Sequence, residues 1–440
     1  MNPPAGQAIR PARSASAQPA SSAICSNPVI ARLPSPSYAD TPWLHAINDA
    51  PQPMPLIYLL AGEASGDVLG ARLMAALTRH RPGLTFAGVG GPLMQAQGLS
   101  SLHPMADLAV MGIVEVIPRL RTLRRRFVQT TADLERRRPD VLVTIDAPGY
   151  NLHLLKRAAA MGIRRVHYVA PQVWAWREHR VREYPGLWDK LLCLLPFEPA
   201  WFAARGLHTD FVGHPVLESG AGSGDAARFR ARHGLAHERI LILMPGSRRS
   251  EVPRLLPVFG QTLERLARSA PDLRPVLPVS SVVADAVRRA ARAWRIQPII
   301  VTELADKHDA YAAAAVALTK SGTSTLELAL AGVPMAVTYR VNPLSAALAR
   351  RAIRVPHVAM VNLLAGRLVV PELLQQDCRA DRLEATVLDL LDNPAAAAAQ
   401  RDAFGPILHS LRPLHGEPSD AAGRQVLEVL DQPRGDRHPA

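Results

Sequence analysis

The sequence predicts an α/β protein of two Rossmann-like, doubly wound domains facing a cleft. Three observations predict it. From Leu56 onward, short β-rich runs alternate with segments of helical period, the pattern of a mostly parallel sheet covered on both faces. A Gly/Ser/Ala stretch at Ser219–Ala227 interrupts that series, and a second series of the same kind follows it. The 440 residues, 48% hydrophobic and 20% charged, are enough for two or three domains with ample apolar material for a core.

Taken in order, residues 1–53 are dense in Pro, Ala and Ser, carry no acid before Asp40 and show no period. They also lack the apolar run of a secretory signal, and they read as a disordered extension. The first domain, 54–218, holds the strand runs Leu56–Leu60, Leu84–Val89, Val141–Ile145, Arg165–Val169 and Leu191–Leu195, with helices such as Ala71–Arg79 and Leu152–Met161 between them. The second, 219–395, holds Ile240–Met244, Val276–Val279, Ile299–Val301, Val316–Thr319 and Met335–Tyr339. The tail, 396–440, reads as helices packing back on the body.

Composition excludes several classes. Cys25, Cys193 and Cys378 are far apart with no C-x-x-C pair, which fits a reducing compartment and excludes a cysteine-built zinc site. The net charge of +13 is nearly all arginine, the lysines being Lys156, Lys190, Lys307 and Lys320 alone. Such a surplus attracts polyanions: nucleic acid, nucleotide phosphates or an anionic membrane surface. No uncharged apolar run approaches the length that crosses a bilayer.

Two α/β domains facing each other invite a ligand at the C-terminal ends of their strands. There is no P-loop, and Gly62-Glu63-Ala64-Ser65-Gly66-Asp67 has the wrong spacing for a dinucleotide fingerprint. No Asp-x-Asp or H-E-x-x-H occurs, so no metal-centred site is expected. Three looser strand–glycine–helix junctions remain. Gly62, Ser65 and Gly66 open the first, where small residues let backbone approach a ligand and a helix N-terminus offers free N–H groups. Gly246, Ser247 and Arg248 form the second. Ser321, Gly322 and Thr323 form the third, with Glu327 one turn later suited to sugar hydroxyls. Two anion-suited junctions in the second half point to a nucleotide diphosphate held without a P-loop.

In the first half, Asp146 follows a buried strand where it would face the cleft and could act as a base. It equally suits the N-cap of the helix starting near Tyr150, and the pattern does not choose. Nearby, Trp174-Ala175-Trp176-Arg177 joins two of only six tryptophans to arginine, a pairing suited to a sugar, acyl chain or phosphate, or to simple core packing.

Together these segments resemble the lipid-A-disaccharide synthase family. The matching stretches are AGEASGDVLGA (61–71), GVGGPLMQAQG (88–98), LAVMGIVEV (108–116), PDVLVTIDAPGYN (139–151), HYVAPQVWAWR (167–177), LPFEPAWF (195–202), FVGHP (211–215), LMPGSRRSEV (243–252), SGTSTLELAL (321–330) and NLLAGR (362–367). They run in order through about residues 56–400. Gln172, Lys320 and the N-terminal extension depart from the family's pattern. The resemblance implies a GT-B glycosyltransferase fold without cofactor or catalytic metal. It implies transfer of 2,3-diacylglucosamine from its UDP donor to 2,3-diacylglucosamine 1-phosphate (lipid X), with inversion to a β-1,6-linked disaccharide. The family's general base falls on Asp146, its diphosphate-contacting arginine on Arg248, and further UDP contacts around Ser321–Glu327 and on Asn362. It also implies a cytoplasmic protein lying on the anionic inner-membrane surface of a Gram-negative cell. The oligomeric state stays open, a homo-oligomer included.

Both implied substrates carry acyl chains, which gives the segment 113–127 a second meaning. Val114, Val116, Ile117, Leu120 and Leu123 form an apolar stripe rimmed by arginines, with Pro118 suited to a first helical position. By pattern alone the stripe would be core; the lipid substrates favour membrane contact. Two rivals stand beside this reading. A UDP-sugar epimerase of the same architecture would hold UDP between two such domains. A nucleic-acid binder would need aromatics among its basic residues, and the arginine run at 119–138 has only Phe127, so no nucleic acid is expected.

Overall fold

Alternation of side chains along each strand decides how the layers stack. In β1 (Leu56–Ala61), Ile57, Leu59 and Ala61 enter one apolar cluster while Tyr58 and Leu60 enter another on the opposite face. In β8 (Arg239–Met244), Ile240 and Ile242 face one way, Leu241 and Leu243 the other. Strands buried on both faces must be central, and helices must cover both sides. The computed structural model describes residues 54–108, 113–247, 251–342 and 355–433, side chains of 113–118 excepted. The extension 1–53 lies outside the described residues; everything below concerns the compact unit Met54–Ala440.

The first sheet has the order β3-β2-β1-β4-β5-β6-β7, all parallel, with β2 at Thr85–Val89, β3 at Ser100–Ser101, β4 at Val141–Ile145, β5 at Arg164–Tyr168, β6 at Lys190–Cys193 and β7 at Asp210–Phe211. Its helices are α1 (Ala64–His80), α2 (Pro92–Ala96), α3 (Ile113–Arg137), α4 (Pro148–Ala160), α5 (Val173–Trp176) and α6 (Glu198–Ala203). The second sheet, also all parallel, has the order β10-β9-β8-β11-β12-β13, with β9 at Leu273–Pro278, β10 at Ile299–Val301, β11 at Ala314–Lys320, β12 at Met335–Tyr339 and β13 at Glu372–Leu374. It is covered by α7 (Ala226–His233), α8 (Val252–Ser269), α9 (Ser281–Ala291), α10 (Leu304–Ala312), α11 (Ser324–Leu330), α12 (Met360–Ala365), α13 (Ala380–Asp392) and α14 (Pro394–Ser410). Strand order reverses at β1/β4 in one sheet and β8/β11 in the other. Those two switch points are where doubly wound sheets open a crevice for ligands.

The last helix, α15 (Pro418–Asp431), does not stay with the second sheet. Its Ala422, Val426 and Val429 join the first sheet's core beside α1, and Asp420 and Asp431 pair with Arg79 and Arg81 at 2.7 and 2.6 Å. The tail therefore divides: α14 contributes Phe404 and Ile407 to the second core, and α15 returns to the first. The two crossing segments lie against each other. His214 donates its N–H to the Leu411 carbonyl at 2.9 Å, and a Cβ on Gly213 would come within 2.6 Å of Pro413. Glu218 accepts from the N–H and hydroxyl of Ser419 at the start of α15.

One apolar cluster joins the C-terminal edge of the first sheet to the second sheet's core. Trp174 and Leu195 belong to it together with Phe404, Ile407 and Leu411. Under Trp174 sits Glu198, 2% exposed, accepting from the Leu194 and Leu195 N–H groups and from the Trp174 indole at 3.1, 3.0 and 3.0 Å. Burial pushes its carboxyl up to about 7 against the pull of those three donors.

Candidate active site

At the first switch point, β1 and β4 end side by side, Ala61 opposite Ile145. Gly62 lets the two following loops touch, since a Cβ there would lie 3.1 Å from the Ala147 Cβ; a Cβ on Gly66 would meet the Ala61 Cβ at 3.2 Å. These glycines bring the N-terminus of α1 down onto the sheet, with Ser65 exposed in its first turn. Asp67, 4% exposed, is spent on structure: it accepts the N–H groups of Gly91, Leu93 and Met94 and so caps α2.

Asp146 follows β4 directly, with φ at 49°. Ala147 (46°) and Val169 (79°) stand beside it, so three of the five non-glycine residues of positive φ among the described residues meet here. Such a conformation is most costly for β-branched Val169, and strain of about 1–3 kcal/mol per residue persists only where surrounding structure imposes it. The Asp146 N–H donates to the Tyr168 carbonyl at 2.9 Å, and its own carbonyl accepts from the Asn151 amide at 2.6 Å. The backbone is thus gripped on both sides, with the carboxylate half-buried. The N-cap position of α4 is occupied by Ala147, one residue after Asp146, and Ala147 makes no side-chain capping bond.

At the second switch point, β8 ends at Met244 and leads through Pro245, Gly246 (φ 108°) and exposed Ser247. Arg248 lies outside the described residues. The far end of this loop is fixed: Glu251 pairs with Lys320 Nζ at 2.8 Å, joining the loop after β8 to the end of β11. Both side chains are about one-sixth exposed, 16% and 17%. After Lys320, Ser321 donates to the Val358 carbonyl at 2.6 Å, Gly322 has φ 153°, and Thr323 is exposed ahead of α11.

Two residues expected to contact the donor already have partners within the protein. Glu327 is held by Lys307 at 2.8 Å and by the Tyr311 hydroxyl at 3.1 Å. Asn362 is fully buried. Its amide N donates to the Val370 carbonyl and to Glu372, while its oxygen accepts from Val369 and Val370 N–H. It shapes the loop before β13 and turns no polar atom outward. Lys320 and Glu251 were silent as a pair in the sequence because 69 residues separate them. The oddity of Lys320 at that junction was the available signal.

The arginine-rimmed stripe divides. α3 begins at Ile113, five residues ahead of Pro118, so that proline lies inside the helix and not at its first position. Side chains of Val114, Val116 and Ile117 lie outside the described ones. Leu120 is 53% exposed and Val128 59%, whereas Leu123 and Phe127 pack on the first core, Phe127 edge-on to Tyr150. Arg126 turns inward to Asp107 at 2.7 Å; Arg119, Arg121, Arg124 and Arg125 remain exposed. Among the described residues no helix is long and apolar enough to cross a membrane, and no three His, Cys, Asp or Glu side chains gather as metal ligands would.

Two parallel-sheet domains, each with small-residue loops at its switch point, define a GT-B glycosyltransferase fold. Solved structures agree on that architecture. UDP-GlcNAc 2-epimerase from Neisseria meningitidis superposes with a TM-score of 0.57 at 12% identity, covering 86% of this chain and 99% of that one. The calicheamicin glycosyltransferase CalG4 gives 0.53 at 17%, covering 86% and 98%. Fold alone leaves epimerase and transferase level; sequence separates them. The family model for lipid-A-disaccharide synthetase matches residues 57–420. The chain is 62% identical over 379 residues to lipid-A-disaccharide synthase of Gluconobacter oxydans, covering 86% of this chain and 91% of that one. It is 57% identical over 390 residues to that of Granulibacter bethesdensis, covering 86% and 99%. The chain belongs to the lipid-A-disaccharide synthase family, and it is a glycosyltransferase of lipid A disaccharide synthesis that uses a UDP-sugar.

Proposed function

We propose that the first switch point holds the lipid X acceptor and the second holds UDP-2,3-diacylglucosamine, with Asp146 as the base between them. The observation that carries this reading is the strained, doubly gripped backbone at Asp146, which holds that residue at the end of β4 beside the switch point. An alcohol is a weak nucleophile, so a carboxylate must take the proton of the acceptor's 6-hydroxyl as it attacks the donor's anomeric carbon. Attack opposite an α-linked UDP inverts that centre to β. The departing diphosphate gains charge in the transition state, where Arg248 and the N–H groups around Gly246, Ser321, Gly322 and Thr323 would stabilise it. Gly62, Ser65 and Gly66 border the same crevice from the first domain. Lys307 and Tyr311 orient the Glu327 carboxylate, supporting a role toward the donor sugar; Asn362 acts from behind, by holding the loop it is bonded to. Release of UDP from the diacylated donor, dependent on added lipid X, tests the reading; UDP release independent of acceptor would overturn it.

The lipid substrates also call for contact with a membrane. The exposed Leu120 and Val128 among exposed arginines support α3 as the element that lies on an anionic inner-membrane face. Replacing both with Asp is expected to abolish co-sedimentation with anionic vesicles at an unchanged melting temperature. Leu123→Asp is expected instead to lower that temperature, because Leu123 packs on the core. Retained vesicle binding by the double variant would remove α3 from the membrane contact.

A further inference from the structure

The tryptophan–arginine segment after β5 remains without a role in the mechanism, and its geometry is unusual. Trp174 and Trp176 share one short helical turn but point oppositely. Trp174 is 8% exposed, bonded to Glu198 and edge-on to Phe197 at 4.9 Å. Trp176 is 48% exposed. An indole left half in water on a loop at the C-terminal end of the sheet is more informative than an exposed aliphatic side chain. The Arg177 guanidinium lies over that ring, 3.9 Å from its centroid.

Stacking fixes the guanidinium plane while leaving its N–H edge available for in-plane hydrogen bonds. What the edge lacks is an anion. Among the described residues Arg177 has no carboxylate partner, while its neighbours Arg180 and Arg205 are committed to Glu183 and Glu178. The site is also well placed. This loop leaves β5 at Tyr168, opposite Ile145, and the Asp146 N–H is bonded to the Tyr168 carbonyl itself. On a hexose, the 6-hydroxyl and the anomeric substituent flank the same ring oxygen. A 6-hydroxyl held at Asp146 therefore puts the anomeric phosphate about one ring's width from Asp146, on a scale that a neighbouring loop of the same sheet end can serve.

We infer that Arg177, stacked on Trp176, is the site for the acceptor's phosphomonoester. The inference rests on the acceptor lying at Asp146, as proposed above. A phosphate dianion takes the guanidinium fork in two parallel hydrogen bonds, an arrangement a lysine cannot reproduce. The same chemistry could come from a phospholipid head group, so the test uses uncharged detergent micelles, in which no head-group phosphate is present.

The experiment crosses enzyme with acceptor: wild type, Arg177→Ala and Arg177→Lys, each with the acceptor phosphate and with the same sugar lacking it. Arg177→Ala is expected to raise KM for the phosphorylated acceptor about 10- to 100-fold, the range of a charge-assisted hydrogen bond, with Arg177→Lys recovering little. With the dephosphorylated acceptor, wild type and variant are expected to be equal. UDP affinity should not move. Arg182, exposed on the same loop and on no aromatic ring, serves as control, and Arg182→Ala should leave both acceptors unchanged. Equal losses on the two acceptors would overturn the phosphate assignment, as would no loss on either, or a loss matched by Arg182→Ala. Failure of the wild type to use any acceptor would instead overturn the reading beneath it.

Discussion

Asp146→Asn is expected to fold like the wild type and to lose about 100- to 10,000-fold in turnover, the usual consequence of removing a general base. The structure sharpens that expectation. At φ 49° the position favours asparagine and aspartate over other L-residues, so Asn keeps the backbone conformation. Both backbone bonds, to Tyr168 and from Asn151, survive because neither uses the carboxylate. Asp146→Ala is the less clean variant, since it adds strain next to Ala147 and Val169. Unchanged melting with lost turnover separates chemistry from packing; near-wild-type turnover in Asp146→Asn would sink the base assignment. UDP binding to the variant should persist, because the loops proposed to hold the donor belong to the other sheet.

How much of this was legible beforehand follows from the range of each signal. The strands were legible because apolar runs flanked by small and polar residues are local; β1, β4 and β8 fall within a residue of their expected ends. Val169 was expected to continue β5, but its φ of 79° ends the strand, and a strained conformation imposed by neighbours leaves no mark in composition. Pro118 was expected to open α3; the helix starts a turn and a half earlier, since a proline near a helix start forfeits few hydrogen bonds. The junctions at Gly62, Gly246 and Ser321 were legible as small-residue turns after strands. That Asn362 spends its whole amide on residues 369–372 was not, because neighbouring polar groups in the fold decide where an amide points. Glu198 carried no signal at all: one acid before a proline reads as a surface helix start, yet long-range packing under Trp174 buries it. The return of α15 to the first core was equally silent, since an amphipathic helix does not name the sheet it covers.

Arg248→Ala is expected to lower turnover about 100- to 1,000-fold, the range for removing one preorganised donor from a developing negative charge, and to weaken UDP binding as well. The fixed surroundings of the loop support so large an effect. Gly246 is confined, for a Cβ there would come within 2.5 Å of Glu251, and Glu251 is tied to Lys320 across the switch point. Preorganisation is what makes a donor count in the transition state, and the described residues on either side of Arg248, Gly246 and Glu251, are held in place. The nearby Lys320 cannot take over, because its ammonium is already bound to Glu251. Arg248→Lys should recover only part of the loss, a point charge lacking the fork that grips two phosphate oxygens. If arginine and backbone N–H groups carry the leaving charge, full wild-type activity in excess chelator is expected. Loss of activity in chelator, restored by Mg²⁺ or Mn²⁺, would assign that charge to a metal and reduce Arg248 to a binding residue.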